Sequence, residues 1–235
     1  MKEILAIIPA RAGSKRIPNK NVIDLAGKPL IYYNINAAKN SKYITRIIVS
    51  TDGEEISRIS KSFGAEVLMR PAELATDTAK TLLVLQHVVN YLKEKENYYP
   101  EIVVLLQPDS PLKTSEDIDK VIEKILTGNY DSTISVGDNS HSPEWLLVEE
   151  GDEAKFYFGD IPTKIRKQDL KKTYFIDGLV YVMKTYQLMK NEHYVLGGKI
   201  GMVILDKSHS FEIDTYQDLE IVRALMEHEN NKNRK

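Results

Sequence analysis

The chain has no cysteine among its 235 residues. This absence excludes disulfides and thiolate metal sites, and it fits a reducing compartment such as the cytoplasm, where we expect the protein to act. No apolar run approaches the ~18 residues that a transmembrane helix needs, so we expect no membrane span. The first apolar run is followed by charged residues instead of a small-residue cleavage site, so we expect no signal peptide.

An excess of charge of one sign is also lacking. Lys and Arg number 32 and Asp and Glu number 34, which gives a formal net charge of −2. This balance argues against a nucleic-acid-binding protein. In a chain of balanced charge, the short stretch from Arg11 to Lys20 is unusually rich in positive charge, because it also contains Lys15 and Arg16. It directly follows the first apolar run, EILAIIPA.

Apolar runs rich in β-branched residues alternate with longer runs of helical periodicity. The apolar runs predict buried strands at 3–10, 46–51, 65–70, 101–108 and 132–137. Helical patterns lie between and after them at 29–40, 54–63, 78–95 and 115–126, the last starting at Ser115. The alternation predicts an α/β fold with a mainly parallel sheet. We assign 1–138 and 196–229 to this domain, the second piece holding a returning strand and a final helix.

The alternation breaks after about residue 137. Residues 144–160 have the pattern of a hairpin that turns at Gly151, and 139–195 as a whole predict an inserted subdomain. Its aromatic residues, among them Trp145 and Phe158, offer more apolar surface than a small hairpin buries alone, which predicts a homodimer formed through this segment. The polar tail at 230–235 is predicted to be frayed.

The cationic stretch lies where an open α/β sheet binds ligands, at the carboxyl end of a strand. Gly13 permits close approach of the backbone to a ligand, and Arg11 and Lys15 supply charge that suits a triphosphate. Neither GxxxxGK[ST] nor GxGxxG is present. On loop chemistry alone, a solvated basic loop explains these residues equally well.

The stretch PARAGSKRIPNKN (9–21) resembles the N-terminal signature of the CMP-sialic acid synthetase family, cytidylyltransferases that activate nine-carbon α-keto acid sugars. Further segments similar to family motifs follow in the family's order: GKPLI (27–31), RPAELATDTAKT (70–81), LLQPDSPLKT (105–114), RKQDLKKTYFIDGLVYV (166–182) and FEIDTYQDLEIV (211–222). The resemblance implies a Rossmann-like nucleotidyltransferase fold with a small inserted dimerisation subdomain. It also implies that CTP and a nonulosonic acid react to give a CMP-sugar and pyrophosphate.

The resemblance implies roles for individual residues as well. The nucleotide-binding residues would be Arg11, Ser14, Lys15, Lys20, Asn21, Arg70, Ala79 and Thr81, with Asn21 and Arg70 at the cytosine base. The sugar-binding residues would be Gln107, Arg166, Lys167, Gln168 and Tyr181. Glu212 and Asp214 would bind Mg²⁺, for which Mn²⁺ is a substitute, and Arg11, Lys15 and Asp214 would be catalytic.

The carboxylate pair also follows from local geometry. In an extended Glu212-Ile213-Asp214 segment, residues 212 and 214 point to the same face. Thr215 and Asp218 have the spacing of a capping box, which would leave Asp214 outside the helix. The alternative that Asp214 is itself the helix cap stays open. For Asp77 and Thr78, in contrast, we expect a helix-capping role, and for Asp52 a role in a turn.

Four positions depart from the family's usual pattern. Asp109 stands where threonine is usual, Lys171 where proline is usual, Asp177 where asparagine is usual, and Glu212 where aspartate is usual. Two other functions therefore stay open beside the main one: a cytidylyltransferase for another 3-deoxy sugar acid, and a non-catalytic nucleotide-binding homologue. A weak likeness at Gly178 and Tyr181 favours a sialic- or legionaminic-type sugar over a pseudaminic-type one.

Overall fold

The computed structural model describes residues 2–139, 142–159 and 169–232. Its strands are β1 (Ile4–Pro9), β2 (Asp24–Leu25), β3 (Lys28–Pro29), β4 (Arg46–Thr51), β5 (Glu66–Met69), β6 (Ile102–Leu106), β7 (Ser132–Asp138), β8 (Leu147–Glu150), β9 (Glu153–Phe156), β10 (Tyr174–Lys184) and β11 (Ile200–Ile204). Its helices are α1 (Leu30–Lys39), α2 (Glu54–Ser62), α3 (Thr81–Glu96), α4 (Ser115–Thr127), α5 (Thr185–Lys190) and α6 (Tyr216–Lys232).

A seven-stranded sheet in the order β11-β7-β10-β6-β1-β4-β5 forms the centre of the molecule. Its strands pair in parallel except for β10, which is antiparallel to both of its neighbours, β6 and β7. The predicted α/β fold with a mainly parallel sheet is therefore confirmed. The five strands and four helices predicted between residues 3 and 137 are all present, and no boundary differs from the prediction by more than three residues.

The sheet is buried on both faces because its strands are apolar throughout. Along β1, Ile4, Ala6 and Ile8 pack into the cluster that contains residues of α1, α2 and α4. The alternate residues, Leu5 and Ile7, pack into the opposite cluster with α3 and α5. Side chains two apart share a face of a strand, so this division follows directly from the pleat. The result is a three-layer molecule with helices on both faces of the sheet.

One strand within the segment predicted as an insertion belongs to the sheet. β10 lies between β6 and β7, with a bulge between Ile176 and Tyr181 that contains Asp177 and Gly178. Gly178 has φ of +71°, a conformation that favours glycine. Residues 174–184 of the segment predicted as an insertion thus form a strand of the central sheet. The division of the chain into domains stays a prediction.

The predicted hairpin is confirmed as β8 and β9, which pair antiparallel around Gly151. Apolar side chains around it are exposed, including Trp145 at 50%, Tyr157 at 63% and Phe158 at 66%. Two short elements, the β2–β3 hairpin and α5, were not predicted, since neither has enough residues to show a period. In the parts of the chain that the structure describes, each helix is too short or too polar to cross a membrane.

Candidate active site

A cleft of about 490 Å³ opens at the carboxyl ends of β1, β5 and β6. This is the edge at which parallel α/β sheets bind ligands. Ten of the residues predicted from the sequence line this cleft: Arg11, Ser14, Lys15, Lys20, Asn21, Arg70, Ala79, Thr81, Gln107 and Asp214. Segments that are far apart in sequence thus meet in one place, as the motifs predict.

The loop after β1 is held at two points along its length. Asp52, which follows β4, accepts a hydrogen bond from the Ala12 amide at 2.9 Å. Asn21 donates from Nδ2 to the carbonyl oxygen of Arg11 at 2.8 Å. Asp52 therefore fixes the cationic loop against the neighbouring strand, which is more than the local turn role expected for it.

One corner of the cleft holds two buried polar side chains with unused hydrogen-bonding capacity. Asn21 is 3% exposed, and because its Nδ2 binds a carbonyl, its Oδ1 is the free acceptor; no described residue pairs with it. Arg70 is 8% exposed and donates to the carbonyl oxygens of Leu74 and Ser50, while its Nε has no partner among the described residues. Burial lowers the pKa of Arg70 from its usual value. This corner can donate to and accept from a flat polar ring.

The cleft is also lined by the loop cations Arg11 and Lys15, which pair with Asp77. One carboxylate oxygen of Asp77 accepts from Arg11, and the other lies 2.5 Å from Lys15 Nζ. Hydrogen bonds from Lys15 and Arg11 lower the pKa of Asp77. The expected capping role of Asp77 and Thr78 is wrong, because α3 begins at Thr81 with Lys80 at its N-cap.

Lys20 lies between two carboxylates at the rim of the cleft, those of Asp109 and Asp214. Its Nζ lies 3.3 Å from an oxygen of Asp109 and 3.3 Å from an oxygen of Asp214, and it donates to the carbonyl of Ile213 at 2.8 Å. Asp214 also pairs with Arg16 at 2.9 Å. Lys20, which the sequence assigned to the phosphates, is thus held at 15% side-chain exposure between two acidic residues.

Asp214 is free of the capping role that stayed open in the sequence. Thr215 Oγ1 accepts from the Asp218 amide at 3.2 Å, and Asp218 accepts from the Thr215 amide at 2.8 Å. This reciprocal pair is the predicted capping box. The carboxylate of Asp214 is therefore available to the cleft, while its own amide donates to Asp218 at 3.1 Å.

Glu212, the other predicted metal ligand, does not line the cleft. Its carboxylate lies against Gly178, where an added Cβ would come within 1.8 Å of Oε1. Partial burial and the nearby carboxylates of Asp109 and Asp214 raise the pKa of Glu212. The carboxylate on the cleft wall beside Asp214 is instead Asp109.

The donor set at this rim suits a hard cation. The described residues contain no group of three or more His, Cys, Asp or Glu placed to hold a metal ion by themselves. Magnesium does not need one, because it takes one or two carboxylates and completes its shell with water and substrate phosphates. Asp109 and Asp214 therefore fit a Mg²⁺ site that forms together with a bound nucleotide.

Of the predicted sugar-binding residues that the structure describes, Tyr181 does not line the cleft. Tyr181 is 6% exposed in β10, opposite Leu105 of β6 and Ile134 of β7, and packs in the core on the α3 side. Its burial there raises the pKa of its hydroxyl. Arg166, Lys167 and Gln168 lie outside the described residues. Their roles stay predictions.

Two buried residues beneath the cleft, Lys113 and Asn34, were not predicted from the sequence to have a role in the site. Both are buried, Lys113 at 3% and Asn34 at 0% exposure, and they contact each other beneath the loop that carries Gln107 and Asp109. A lysine in a polar, proline-containing loop is ordinarily solvated. The one available signal was its place at the end of the segment LLQPDSPLKT.

Comparisons with known proteins agree with this geometry. The chain is 34% identical to a CMP-N,N'-diacetyllegionaminic acid synthase of Legionella pneumophila, over 95% of this chain and 96% of that protein. It is 31% identical to an N-acylneuraminate cytidylyltransferase of Escherichia coli, over 97% of this chain but only 53% of that longer protein.

Solved structures give the same fold. A CMP:2-keto-3-deoxy-manno-octonic acid synthetase in complex with CTP superposes with a TM-score of 0.72, at 20% identity, over 97% of this chain and 99% of that one. The family model described as Cytidylyltransferase matches residues 5–190. With its sheet, its cleft and these sequence relationships, the chain belongs to the cytidylyltransferase family.

Proposed function

We propose that this protein transfers the cytidylyl group of CTP to a nonulosonic acid, which gives a CMP-sugar and pyrophosphate. The observation that supports this most directly is the composition of the single cleft described above. A cationic loop lies on one wall, a buried amide and guanidinium at one corner, and two carboxylates at the rim. These are the groups that a nucleoside triphosphate and its metal ion require.

The phosphates of CTP would lie along the loop after β1. Arg11 and Lys15 would bind them as they now bind Asp77, and Ser14 would add a hydroxyl from the same loop. Lys20 would bring a further positive charge from its place between the rim carboxylates. Arg11 and Lys15 already bind the two carboxylate oxygens of Asp77, and phosphate oxygens of CTP would take the place of these acceptors.

The cytosine base would lie in the buried corner. The unpaired Oδ1 of Asn21 would accept from the exocyclic amine of cytosine, and Arg70 would contact the same ring. Ala79 and Thr81, at the start of α3 on the cleft wall, would contact the base and ribose. Uracil has a carbonyl where cytosine has its amine, so it would leave the amide oxygen of Asn21 facing another acceptor.

The sugar would bind beyond the phosphates, next to Gln107 at the carboxyl end of β6. The carboxylate of an α-keto acid sugar would pair with Arg166 or Lys167, with Gln168 beside them. Tyr181 would contribute from β10 if that strand's bulge admits the substrate.

For the metal, we propose Asp214 with Asp109 as the ligands on the cleft wall, and Glu212 as a neighbour that supports them. Bound Mg²⁺, or Mn²⁺ in its place, would supply positive charge to the phosphate oxygens. This is a revision of the Glu212–Asp214 pair, made because Asp109 and not Glu212 lines the cleft.

In the reaction, the 2-hydroxyl of the sugar's anomeric carbon attacks the α-phosphorus of CTP. The new P–O bond forms as the bond to the β-phosphate oxygen breaks, pyrophosphate leaves, and the hydroxyl proton passes to solvent. Arg11 and Lys15 stabilise the charge that grows on the leaving pyrophosphate, which is the term that dominates in phosphoryl-type transfers. We assign no side chain as the general base.

We also propose that the protein acts as a homodimer in the cytoplasm. The exposed aromatic residues around the β8–β9 hairpin form a surface of the kind that a second copy covers. This hairpin lies within the same 139–195 segment that includes the predicted sugar-binding residues 166–168.

Pyrophosphate release tests the proposed function. Purified protein with Mg²⁺ is assayed with CTP or UTP and with N-acetylneuraminate, N,N'-diacetyllegionaminate or a 3-deoxy-octulosonate, and released pyrophosphate is measured after hydrolysis to phosphate. We expect release with CTP and a nine-carbon acid. Release only with the eight-carbon acid would instead identify another 3-deoxy sugar acid as the substrate. No release with any of these pairs or with CTP and a pseudaminic-type acid, while CTP still binds, would identify a non-catalytic homologue.

A further inference from the structure

Lys113 lies at the centre of a buried hydrogen-bond system that the proposed mechanism does not use. Its Nζ donates to three neutral acceptors: Asn34 Oδ1 at 2.5 Å, the carbonyl of Ser110 at 2.7 Å and the carbonyl of Gln107 at 2.8 Å. A lysine that is 3% exposed and bound only to neutral oxygens is uncommon, because its burial is costly. We therefore expect this lysine to have a specific role in the protein.

The acceptors belong to the loop between β6 and α4. Asn34, which extends from α1, donates to the carbonyl of Pro108 at 3.0 Å, and the Ile213 amide donates to the carbonyl of Asp109 at 2.8 Å. Together with the two carbonyls bound by Lys113, all four consecutive carbonyls of residues 107–110 have a donor. The backbone of this loop is thus fixed from one side.

The same four residues carry two side chains of the cleft. Gln107 and Asp109 line it, whereas Lys113 and Asn34 lie behind it. The bond from Ile213 to Asp109 also joins this loop to the segment that ends in Asp214. The position of Gln107 relative to Asp214 across the cleft therefore depends on donors that never reach the substrate.

We propose that Lys113 is a positioning residue for the cytidylyl transfer: its buried amine fixes the carbonyls of Gln107 and Ser110 and so holds the Gln107 and Asp109 side chains in the cleft. The inference rests on the proposed function, because it assigns a role within that reaction. Burial lowers the pKa of Lys113 to about 7 against the attraction of Asp109, Asp177, Glu212 and Asp117, which are the acidic groups that face it.

A loss of position should affect turnover more than nucleotide binding. The base corner and the phosphate-binding loop lie next to β1, β5 and α3, whereas the hydrogen bonds of Lys113 go to α1 and to the loop between β6 and α4. Lys113→Met removes the donor from two carbonyls and retains an unbranched chain of similar length. Displacement of reacting groups by ~1 Å commonly costs about 10²-fold in rate. We therefore expect kcat to fall by about that factor, while the dissociation constant for CTP changes little.

The experiment compares Lys113→Met with Lys113→Arg and with Lys95→Met, a matched control at an exposed position on α3. Calorimetric CTP binding gives the folded, binding-competent fraction, and kcat is scaled to it. Lys113→Arg, which retains N–H donors at the end of a long side chain, should recover most of the lost turnover. A scaled kcat near wild type for Lys113→Met would overturn the proposal, and so would an equal loss in Lys113→Met and Lys95→Met.

A second variant covers the case in which Lys113→Met does not fold. Asp177 faces Lys113, so the double variant Lys113→Met/Asp177→Asn removes both charges and avoids an uncompensated buried carboxylate. Asparagine retains the Oδ1 that accepts from Ser135 and from the Leu179 amide. Compared with Asp177→Asn alone, the double variant should lose turnover by the same large factor. Equal turnover of the two would overturn the proposal.

Amide hydrogen exchange separates this inference from the proposed function. If wild-type protein releases no pyrophosphate with any sugar, the proposed function fails, but exchange can still be measured. Lys113→Met should then speed exchange of the Ile213 amide and of amides in residues 107–113 relative to Lys95→Met. Unchanged exchange in this segment would refute the positioning role whether or not the wild type is active.

Discussion

Replacement of Asp214 by asparagine should separate catalysis from stability. The side chain keeps its size, and an oxygen that can accept from Lys20 remains. The helix that follows is capped by Thr215 and Asp218, not by Asp214, so α6 should begin where it does now. What is lost is one negative charge at the rim of the cleft, where we propose that the metal binds.

The stability cost follows from the contacts. The ion pair with Arg16 has side chains 69% and 50% exposed, and exposed pairs contribute about 0–1 kcal/mol to the free energy of unfolding. For a chain of this size, a loss of 1 kcal/mol lowers Tm by about 2–4 °C. Loss of one strong electrostatic contact to a transition state, in contrast, lowers kcat by about 10²–10³-fold. Turnover should therefore fall far more than Tm.

The assay measures pyrophosphate release at saturating CTP and sugar across a Mg²⁺ series, with Tm by differential scanning fluorimetry. Glu94→Gln is the control, because it removes one exposed carboxylate on α3, away from the cleft. Near-normal turnover of Asp214→Asn at saturating Mg²⁺, together with a Tm lowered by many degrees, would refute the reasoning. Asp214 would then be a structural residue, and Asp109→Asn would be the variant to examine for loss of metal binding.

Four further predictions follow from other parts of the molecule. Asp77→Asn should tighten CTP binding at low ionic strength, because Arg11 and Lys15 lose a competing carboxylate; calorimetry that shows weaker binding would contradict this. Turnover should strongly favour CTP over UTP because of the free Oδ1 of Asn21, and comparable kcat/KM values would refute that assignment. Light scattering at micromolar concentration should give a dimeric mass, and a monomeric mass would refute the proposed interface. Burial lowers the pKa of Lys113 to about 7 in the folded protein, so between about pH 7 and pH 10 the unfolded chain binds one more proton than the folded one. The free energy of unfolding of wild type relative to Lys113→Met, measured in urea, should therefore rise across this pH range. A flat or falling difference would contradict this.

The sheet was predictable because its strands are continuous apolar runs. β1 and β6 have no exposed face, and continuous apolar runs of this length are typical of strands in a parallel sheet that is covered on both faces. β10 was harder, since Asp177 and Gly178 interrupt its pattern at a bulge, and its antiparallel place between β6 and β7 follows from tertiary packing. The residues of a single strand do not indicate whether it runs parallel or antiparallel to its neighbours in the sheet.

Cleft residues that belong to short sequence motifs could be predicted. Those whose role depends on which side chains pair in the folded protein were harder to predict. Asn21 and Arg70 both line the cleft, but the pairing of Asp77 with the loop cations depends on where α3 begins, three residues later than the sequence predicts. Lys113 was hard to single out because its burial depends on two carbonyls and the side-chain oxygen of Asn34, which only the folded chain brings together.

The central claim is that this cleft joins CTP to a nonulosonic acid. Phosphorus NMR of one mixture, wild-type protein with CTP, Mg²⁺ and N,N'-diacetyllegionaminate or N-acetylneuraminate, tests it most directly. The account predicts that the three CTP signals are replaced by one phosphodiester signal of a CMP-sugar and one of pyrophosphate, in equal molar amounts. Unchanged CTP signals with both acids and with a pseudaminic-type acid, from protein that is folded and binds CTP, would contradict it.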